Sequence, residues 1–502
     1  MDESLGTIIA SEGTPSTSDF SFVLRKPVNK GQYVQVSRDS GLLFGYVSEI
    51  TKANRYFERA ESVAEFEKNS GMESNFPSSS WEYVIALVKT LGTYHDSRFM
   101  RAFSPPSPGD KVFNADNNVL RSFLGFESQG LDLGSIEHHD LPARIGMTRL
   151  LQKHLAILAM SGAGKSHLTS VLLEELLDRE KEQGRVAVIV VDIHGEYGGF
   201  AHDAGYGQST RMIDGKDIAV PLRKVSPEMI MGWIPGLSTP QKDVLRHVLV
   251  KLKKNNQDSG GYGFGELVRA IDESGISREE VKRALKRSLG ELRRYRFLST
   301  KKENPRFISD IKPGRLMVLD FSTIDSLRKK QILVSLVARK LFNLRKKGKV
   351  PPFLLVIEES HNFAPQKAEE RDAVSRSIIE TVAREGRKFG ASLCLVSQRP
   401  VNLSTTALSQ CNSHIILRVT NPNDLEHIQM SSEGIDSRVA RSITSLRVGE
   451  AIVVGSAVNY PVFIRVRDRK SEKREKGAPL HRQAVDFESI QAKREKAAGA
   501  FL

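Results

Sequence analysis

The chain has 502 residues, 39% hydrophobic and 27% charged, an ordinary globular composition long enough for two or three domains. Lys and Arg outnumber Asp and Glu by 74 to 60, and the net charge of +14 attracts polyanions, either nucleic acid or an anionic membrane face. Cys394 and Cys411 alone exclude a disulfide framework or a zinc cluster, and no apolar run approaches the roughly 20 residues that span a bilayer.

The acidic start "MDESLGTIIASEG" lacks the basic and apolar regions of a secretory signal, so a cytoplasmic protein without membrane attachment is expected. Residues 1 to about 138 carry short β-type runs, "GTIIAS", "DFSFVL", "QYVQVS", "LLFGYVSEI", "YVIALVKTLGTY" and "DKVFNA", separated by turn chemistry such as "SPPSPGDK". Many short strands at this spacing suggest a small barrel or sandwich, interrupted by a helical pattern from Tyr56 to Ser70. No catalytic constellation lies there, and a docking or assembly domain is expected.

From about Leu151 strands alternate with helices, the signature of a mostly parallel sheet with helical crossovers. The candidate buried strands are "HLAILAM", "VAVIVVD", "RLMVLDF", "FLLVIEE", "ASLCLVSQ", "HIILRV" and "EAIVVG". A helical insertion, with limits set at 226–310, separates the second from the third. Its stretch "SREEVKRALKRSLGELRRYRFL" spaces Val281, Leu285, Leu289 and Leu292 along one helical face among Lys and Arg. That stripe reads as an amphipathic helix packed on its own protein, with nucleic-acid contact as the alternative. The domain limits are therefore 1–138, an α/β core over 139–225 and 311–470, the insertion, and a charged tail over 471–502 that is mobile or ordered only against a partner subunit.

"LAILAMSGAGKSHL" places a glycine-bearing turn between an apolar strand and a helix, the context a phosphate-binding loop requires. Small residues let backbone N–H groups curl round the β-phosphate, a lysine reaches the β- and γ-phosphates, and a hydroxyl holds Mg²⁺. Ser161, Gly162, Ala163, Gly164, Lys165, Ser166 and His167 are the candidates for holding ATP, with Ser166 on the metal. Ala159 stands where the first glycine of the motif belongs, which is tolerable at negative φ. In "FLLVIEESHNF" an apolar strand ends in two carboxylates: Glu358 to orient Mg²⁺ and its water, Glu359 to polarise the attacking water as general base. "SLCLVSQRP" puts Gln398 at a strand's carboxyl end, able to sense the γ-phosphate or to cap the turn before Arg399. "RDAVSRSIIETVAREGRKFG" carries Val374, Ile378 and Val382 on one helical face, with Arg384 and Arg387 three positions apart. An arginine acting on a neighbour's γ-phosphate implies a ring of subunits.

Taken together these residues resemble the HerA branch of the HerA/FtsK superfamily of ring-shaped DNA-pumping ATPases. The resemblance is carried by "SGAGKS", "VVDIHGEYGGF", "VIEESHNFAP", "AREGRKFGASLCLVSQRP" and "NPNDLEHI". It implies a RecA-like P-loop NTPase core with a helical insertion behind an N-terminal β-barrel, and a homo-hexameric ring round double-stranded DNA. It also implies work with a NurA-type nuclease in end resection and double-strand break repair. By position Lys165 and Ser166 bind phosphate and Mg²⁺, Glu359 is the catalytic acid, Arg384 the preferred trans arginine with Arg387 in reserve, and Gln398 the sensor. Asp192 and Glu196 match an acidic pair whose role stays open. Members of the family usually have Asp at position 358 and Gly at 159. The expected activity is ATP hydrolysis driving DNA through a basic channel, with Lys367 and Arg371 as channel residues. Two alternatives remain, a related motor moving another cargo and a nucleotide-gated scaffold that recruits a nuclease.

Overall fold

The computed structural model describes residues 4–54, 82–255, 261–367, 373–473 and 480–499, except 12, 97 and 433, together with the single positions 57, 61 and 63. The helix expected over Tyr56–Ser70 lies outside the described residues apart from those three positions, and Arg371 lies outside them altogether. The chain divides into two compact units. One comprises Met1–Glu175, Ala364–Lys367 and Glu380–Asp468; the other comprises Leu176–Phe363, Ala368–Ile379 and Arg469–Leu502.

The first strands in chain order are β1 Gly6–Ile9, β2 Asp19–Leu24, β3 Tyr33–Arg38, β4 Gly41–Asn54, β5 Glu82–His95, β6 Arg98–Met100 and β7 Lys111–Asn114. Among the described residues, antiparallel pairing runs β2-β1-β7-β3-β4-β5 and closes from β5 back to β2, with Phe20 opposite Val88 and Phe22 opposite Ala86; β6 is added on β5. This closure decides for a six-stranded barrel over a sandwich and leaves those strands no open edge. Alternation sends Phe20, Phe22, Val34, Val36, Val47 and Val88 into a core in which each is fully buried.

The same unit continues with β8 Phe126–Ile136, β9 Pro142–Ile145 and β10 Leu155–Leu158, the strand that enters the glycine turn. In the other unit lie β11 Ala187–Asp192, β12 Thr210–Asp214, the short pair β13 Val220–Pro221 and β14 Leu298–Ser299, β15 Leu316–Asp320 and β16 Phe353–Ile357. The chain then returns to the first unit with β17 Ala391–Ser397, β18 Ser413–Ile416, β19 Glu450–Gly455 and β20 Val462–Val466. In the first unit the order is β17-β10-β18-β19-β20-β8-β9, parallel from β17 to β18 and antiparallel beyond. In the second unit β12-β15-β11-β16 are all parallel. Each of the seven apolar runs forms a strand. The half-exposed "TRMID" of β12 is a further strand that its polar composition conceals.

The insertion forms the helices Pro227–Trp233, Thr239–Asn255, Phe264–Asp272 and Glu279–Arg294. Leu285, Leu289 and Leu292 are buried where the last of these meets the helices at Thr239–Asn255 and Phe264–Asp272, so the stripe is core and not a nucleic-acid face. Leu289→Ala should destabilise the protein by about 2–4 kcal/mol, read as a lower urea midpoint. The tail forms the helix Leu480–Gly499, on which Leu480, Val485, Phe487 and Ile490 are exposed.

Candidate nucleotide-binding and catalytic site

The phosphate loop belongs to the first unit. All four residues of β10 are buried, and the strand is held parallel between β17 and β18 with Leu158 opposite both Ser397 and Ile416. The backbone beyond it is anchored as well: Ala159 N–H donates to Ser397 O at 3.2 Å, and Met160 N–H to Arg418 O at 2.8 Å. Ala159 is fully buried, and it is absent from the described non-glycine residues with positive φ, so its methyl is accommodated without strain. The turn places its left-handed backbone at Gly162, φ 78°, and Gly164, φ 103°, where a side chain would be strained. Lys165 opens the helix Lys165–Leu177. Its N-terminus directs the positive end of the helix dipole towards the loop, the arrangement that favours an anion.

The hydroxyls of Thr169 and Ser170 donate back to Lys165 O and Ser166 O, at 3.0 and 2.8 Å. His167 Nε2 is 2.9 Å from Arg467 O. The Arg467 guanidinium in turn donates to Glu174 and Glu175 on the same helix, at 2.8 and 2.9 Å. His167 thus ties the loop's helix to the segment after β20. Because Leu158 and Ser397 are register partners, Gln398 emerges at the same carboxyl edge as the loop. The turn after it is capped by Ser397 Oγ, accepting from Arg399 N–H at 3.1 Å, and by Asp424 Oδ1, accepting from Val401 N–H at 2.9 Å, so Gln398 is not the cap.

The paired carboxylates belong to the second unit. β16 is wholly buried; Glu358 at its end is 0% exposed and Glu359 is 3% exposed. Glu359 has φ 45°, a left-handed conformation uncommon for a non-glycine residue and typical of strained functional positions. His361 Nδ1 lies 3.5 Å from Glu359 Oε2, and His194 Nε2 lies 3.9 Å from Oε1.

The "HGEY" stretch explains itself here. Asp192, at the end of β11, accepts from the N–H groups of His194, Glu196 and Tyr197 at 3.2, 3.0 and 3.0 Å. It is a turn organiser, and burial pushes its carboxyl above the usual range against the pull of those N–H groups. The turn delivers Tyr197, itself fully buried, so that its hydroxyl donates to Glu358 Oε1 at 2.8 Å. This hydrogen bond fixes the longer carboxylate that replaces the usual Asp. Tyr197→Phe should lower the ATPase kcat about tenfold or more with little change in KM, as loss of a partner that orients a metal-directed carboxylate does. Unchanged kcat would deny Tyr197 that role.

Arg384 closes the helix Arg376–Glu385, with its side chain 51% exposed and 4.0 Å from Glu380. Arg387 is also exposed but lies beyond that helix, in the tighter turn Gly386–Phe389, so the two arginines do not share one α-helical face as their spacing suggests. Lys367 is exposed. Among the described residues no group of three or more His, Cys, Asp or Glu forms a metal cage. Mg²⁺ needs no such cage, because it takes few protein ligands and fills its shell with phosphate and water.

Strand, glycine turn and helix, with a second buried strand ending in paired carboxylates, are the elements of a RecA-like P-loop fold, which follows a closed β-barrel in the chain. A family model described as "Helicase HerA, central domain" matches residues 131–341. A probable helicase of Methanocaldococcus jannaschii is 28% identical over 90% of this chain and 89% of its own length. The DNA double-strand break repair helicase HerA of Pyrococcus furiosus is 27% identical over 94% of this chain and 93% of its own. The protein of that name from Sulfurisphaera tokodaii is 26% identical over 90% and 91%. Among solved structures, VirB4 of Thermoanaerobacter pseudethanolicus superposes with a TM-score of 0.53 at 15% identity, covering 68% of this chain and 98% of that one, a likeness of fold alone. Along most of its length the chain is thus similar to HerA-type helicases.

Proposed function

We propose that this protein is an ATP-driven translocase and helicase on double-stranded DNA, working as a homo-hexamer with a NurA-type nuclease in DNA end resection. The observation that carries the reading is similarity to HerA break-repair helicases along 90% or more of the chain, barrel and motor together. ATP is bound by the loop Ser161–His167, with Lys165 neutralising the β- and γ-phosphates and Ser166 and Glu358 serving Mg²⁺. The ion, when bound, draws charge from the transferring phosphoryl group. Glu359 accepts the proton of the attacking water. Arg384 of a neighbouring subunit, with Arg387 in reserve, stabilises the charge that builds on the γ-phosphate, and Gln398 senses that phosphate. Lys367 contacts the DNA backbone. Contacts of that kind carry no sequence information and weaken with salt.

Phosphate release by the purified protein, alone, with duplex DNA and with a NurA-type nuclease added, tests the proposal. Turnover stimulated by DNA is expected, and the stimulation should fade as salt rises. Turnover indifferent to DNA would favour a motor with another cargo. Nucleotide binding without turnover would leave a scaffold. Among the described residues no helix is long and apolar enough to cross a membrane.

A further inference from the structure

We infer that His154 is a positioning residue for the turn that carries Arg384 and Arg387, and so sets the half of each ATP site that one subunit lends to its neighbour. The inference rests on the trans-arginine reading proposed above.

His154 stands immediately before β10, in a left-handed conformation with φ 64°, and is 1% exposed. Its ring makes two hydrogen bonds to backbone. Leu393 N–H donates to Nδ1 at 3.0 Å, and Nε2 lies 2.9 Å from Ala383 O. A backbone N–H can only donate, so Nδ1 is the bare nitrogen and Nε2 carries the hydrogen given to Ala383. The tautomer is therefore dictated by the surroundings. Burial pushes the ring down to about 4, which keeps it neutral and its Nδ1 available.

Each partner has a place in the machinery. Ala383 directly precedes Arg384, and its carbonyl is in the last turn of the helix, where carbonyls lack helical partners. Leu393 lies in β17, whose Cys394 is the register partner of Leu155, the residue after His154. β10 leads in turn to the phosphate loop. One rigid ring therefore bridges the strand that carries the cradle and the helix end that carries the arginine. The fit is close from the other side too: a Cβ on Gly386 would lie 2.2 Å from Ala391 O and 3.2 Å from His154 Cε1, so the turn is pressed against β17 and the imidazole. Removing the ring leaves the Ala383 carbonyl and the Leu393 N–H without these partners and opens space beneath the turn. Arg384 itself is half-exposed, with a 4.0 Å approach to Glu380 along the helix, so its placement depends on the backbone that His154 fixes.

A histidine that merely filled the core would act on its own subunit, whereas a positioning role acts on the neighbour. Mixed rings separate the two. His154→Ala alone should lose roughly 10²-fold in kcat, the scale for a reacting group displaced by about 1 Å, while binding ATP with unchanged affinity. Glu359→Gln alone is inactive for a different reason, because its arginines are intact and its acid is not. Mixed in equal amounts, the two proteins should hydrolyse ATP well above the sum of their separate rates, because cradles of the first then meet arginines of the second. The control is Glu359→Gln mixed with an Arg384→Ala/Arg387→Ala double variant. Recovery in the control without recovery for His154→Ala overturns the inference and leaves the trans-arginine reading standing. Recovery in neither overturns that reading. Wild-type turnover by His154→Ala alone also overturns the inference. His154→Gln, which keeps a donor and an acceptor at different spacing, takes its place under the same outcomes should the alanine variant not fold.

Discussion

Glu359→Gln is expected to bind ATP and DNA like the wild type while hydrolysing ATP about 10² to 10⁴ times more slowly, the range for loss of a positioned general base. The substitution preserves shape and one oxygen, so the buried strand end need not repack, but an amide cannot take the proton of the attacking water. The surroundings suit this role. The side chain is 3% exposed, its backbone adopts φ 45°, and two histidines stand 3.5 and 3.9 Å from its oxygens. A strained backbone at the end of a rigid strand is a sign that the position of the carboxylate, and not local comfort, decides the conformation. Phosphate release at saturating ATP, with and without duplex DNA, measures the effect. Wild-type turnover by the variant removes Glu359 from the role.

A second large effect should appear on acidification. His154 and His414 are each 1% exposed, and burial pushes both down to about 4. Among the described residues His414, on β18 between β10 and β19, has no hydrogen-bond partner on either ring nitrogen. Below pH 6.5 the unfolded chain takes up a proton at each site that the folded chain refuses, so stability falls as pH drops from 6.5 to about 4. Each site contributes on the order of 3 kcal/mol to that loss. His139, also pushed to about 4 by burial, adds to the slope. Urea unfolding at pH 7.5 and pH 5 measures the total, to which titrating carboxylates add. His414→Leu isolates one site. Because the imidazole there satisfies no hydrogen bond, the replacement should be nearly neutral at pH 7.5 and should raise the midpoint at pH 5. An equal shift at both pH values would mean that His414 carries its proton in the folded state.

Much of the molecule is legible from local spacing. The loop from Ser161 to His167 is contiguous, so the residues that make its shape and its charge are read together. The seven apolar runs are buried along most of their length, which is why their composition marks them even without alternation. The stripe of Leu285, Leu289 and Leu292 shows that one helix face is hidden, but not what hides it, and its flanking Lys and Arg left a nucleic-acid reading open that the neighbouring helices close. Arg384 and Arg387 invited a shared helical face. The α-helix stops at Glu385 and Arg387 falls in the tighter turn Gly386–Phe389, which ends that possibility. Tyr197 went unremarked within "HGEY", because its hydroxyl partner Glu358 lies 161 positions away.

By itself the sequence marked seven apolar runs as strands, a glycine turn between strand and helix, and two carboxylates at the end of a buried strand, since each depends on neighbours a few positions apart. Only the tertiary structure decided that the N-terminal strands close through β2 and β5 into a barrel. It also decided that β8 pairs with β20, that Asp192 organises the turn leading to Tyr197, and that His154 joins β10 to the helix end before Arg384. These are pairings between groups far apart in the chain. Their partners are chosen by the geometry of closure and by the cost of leaving a buried donor or acceptor unmatched, and no local pattern encodes that choice.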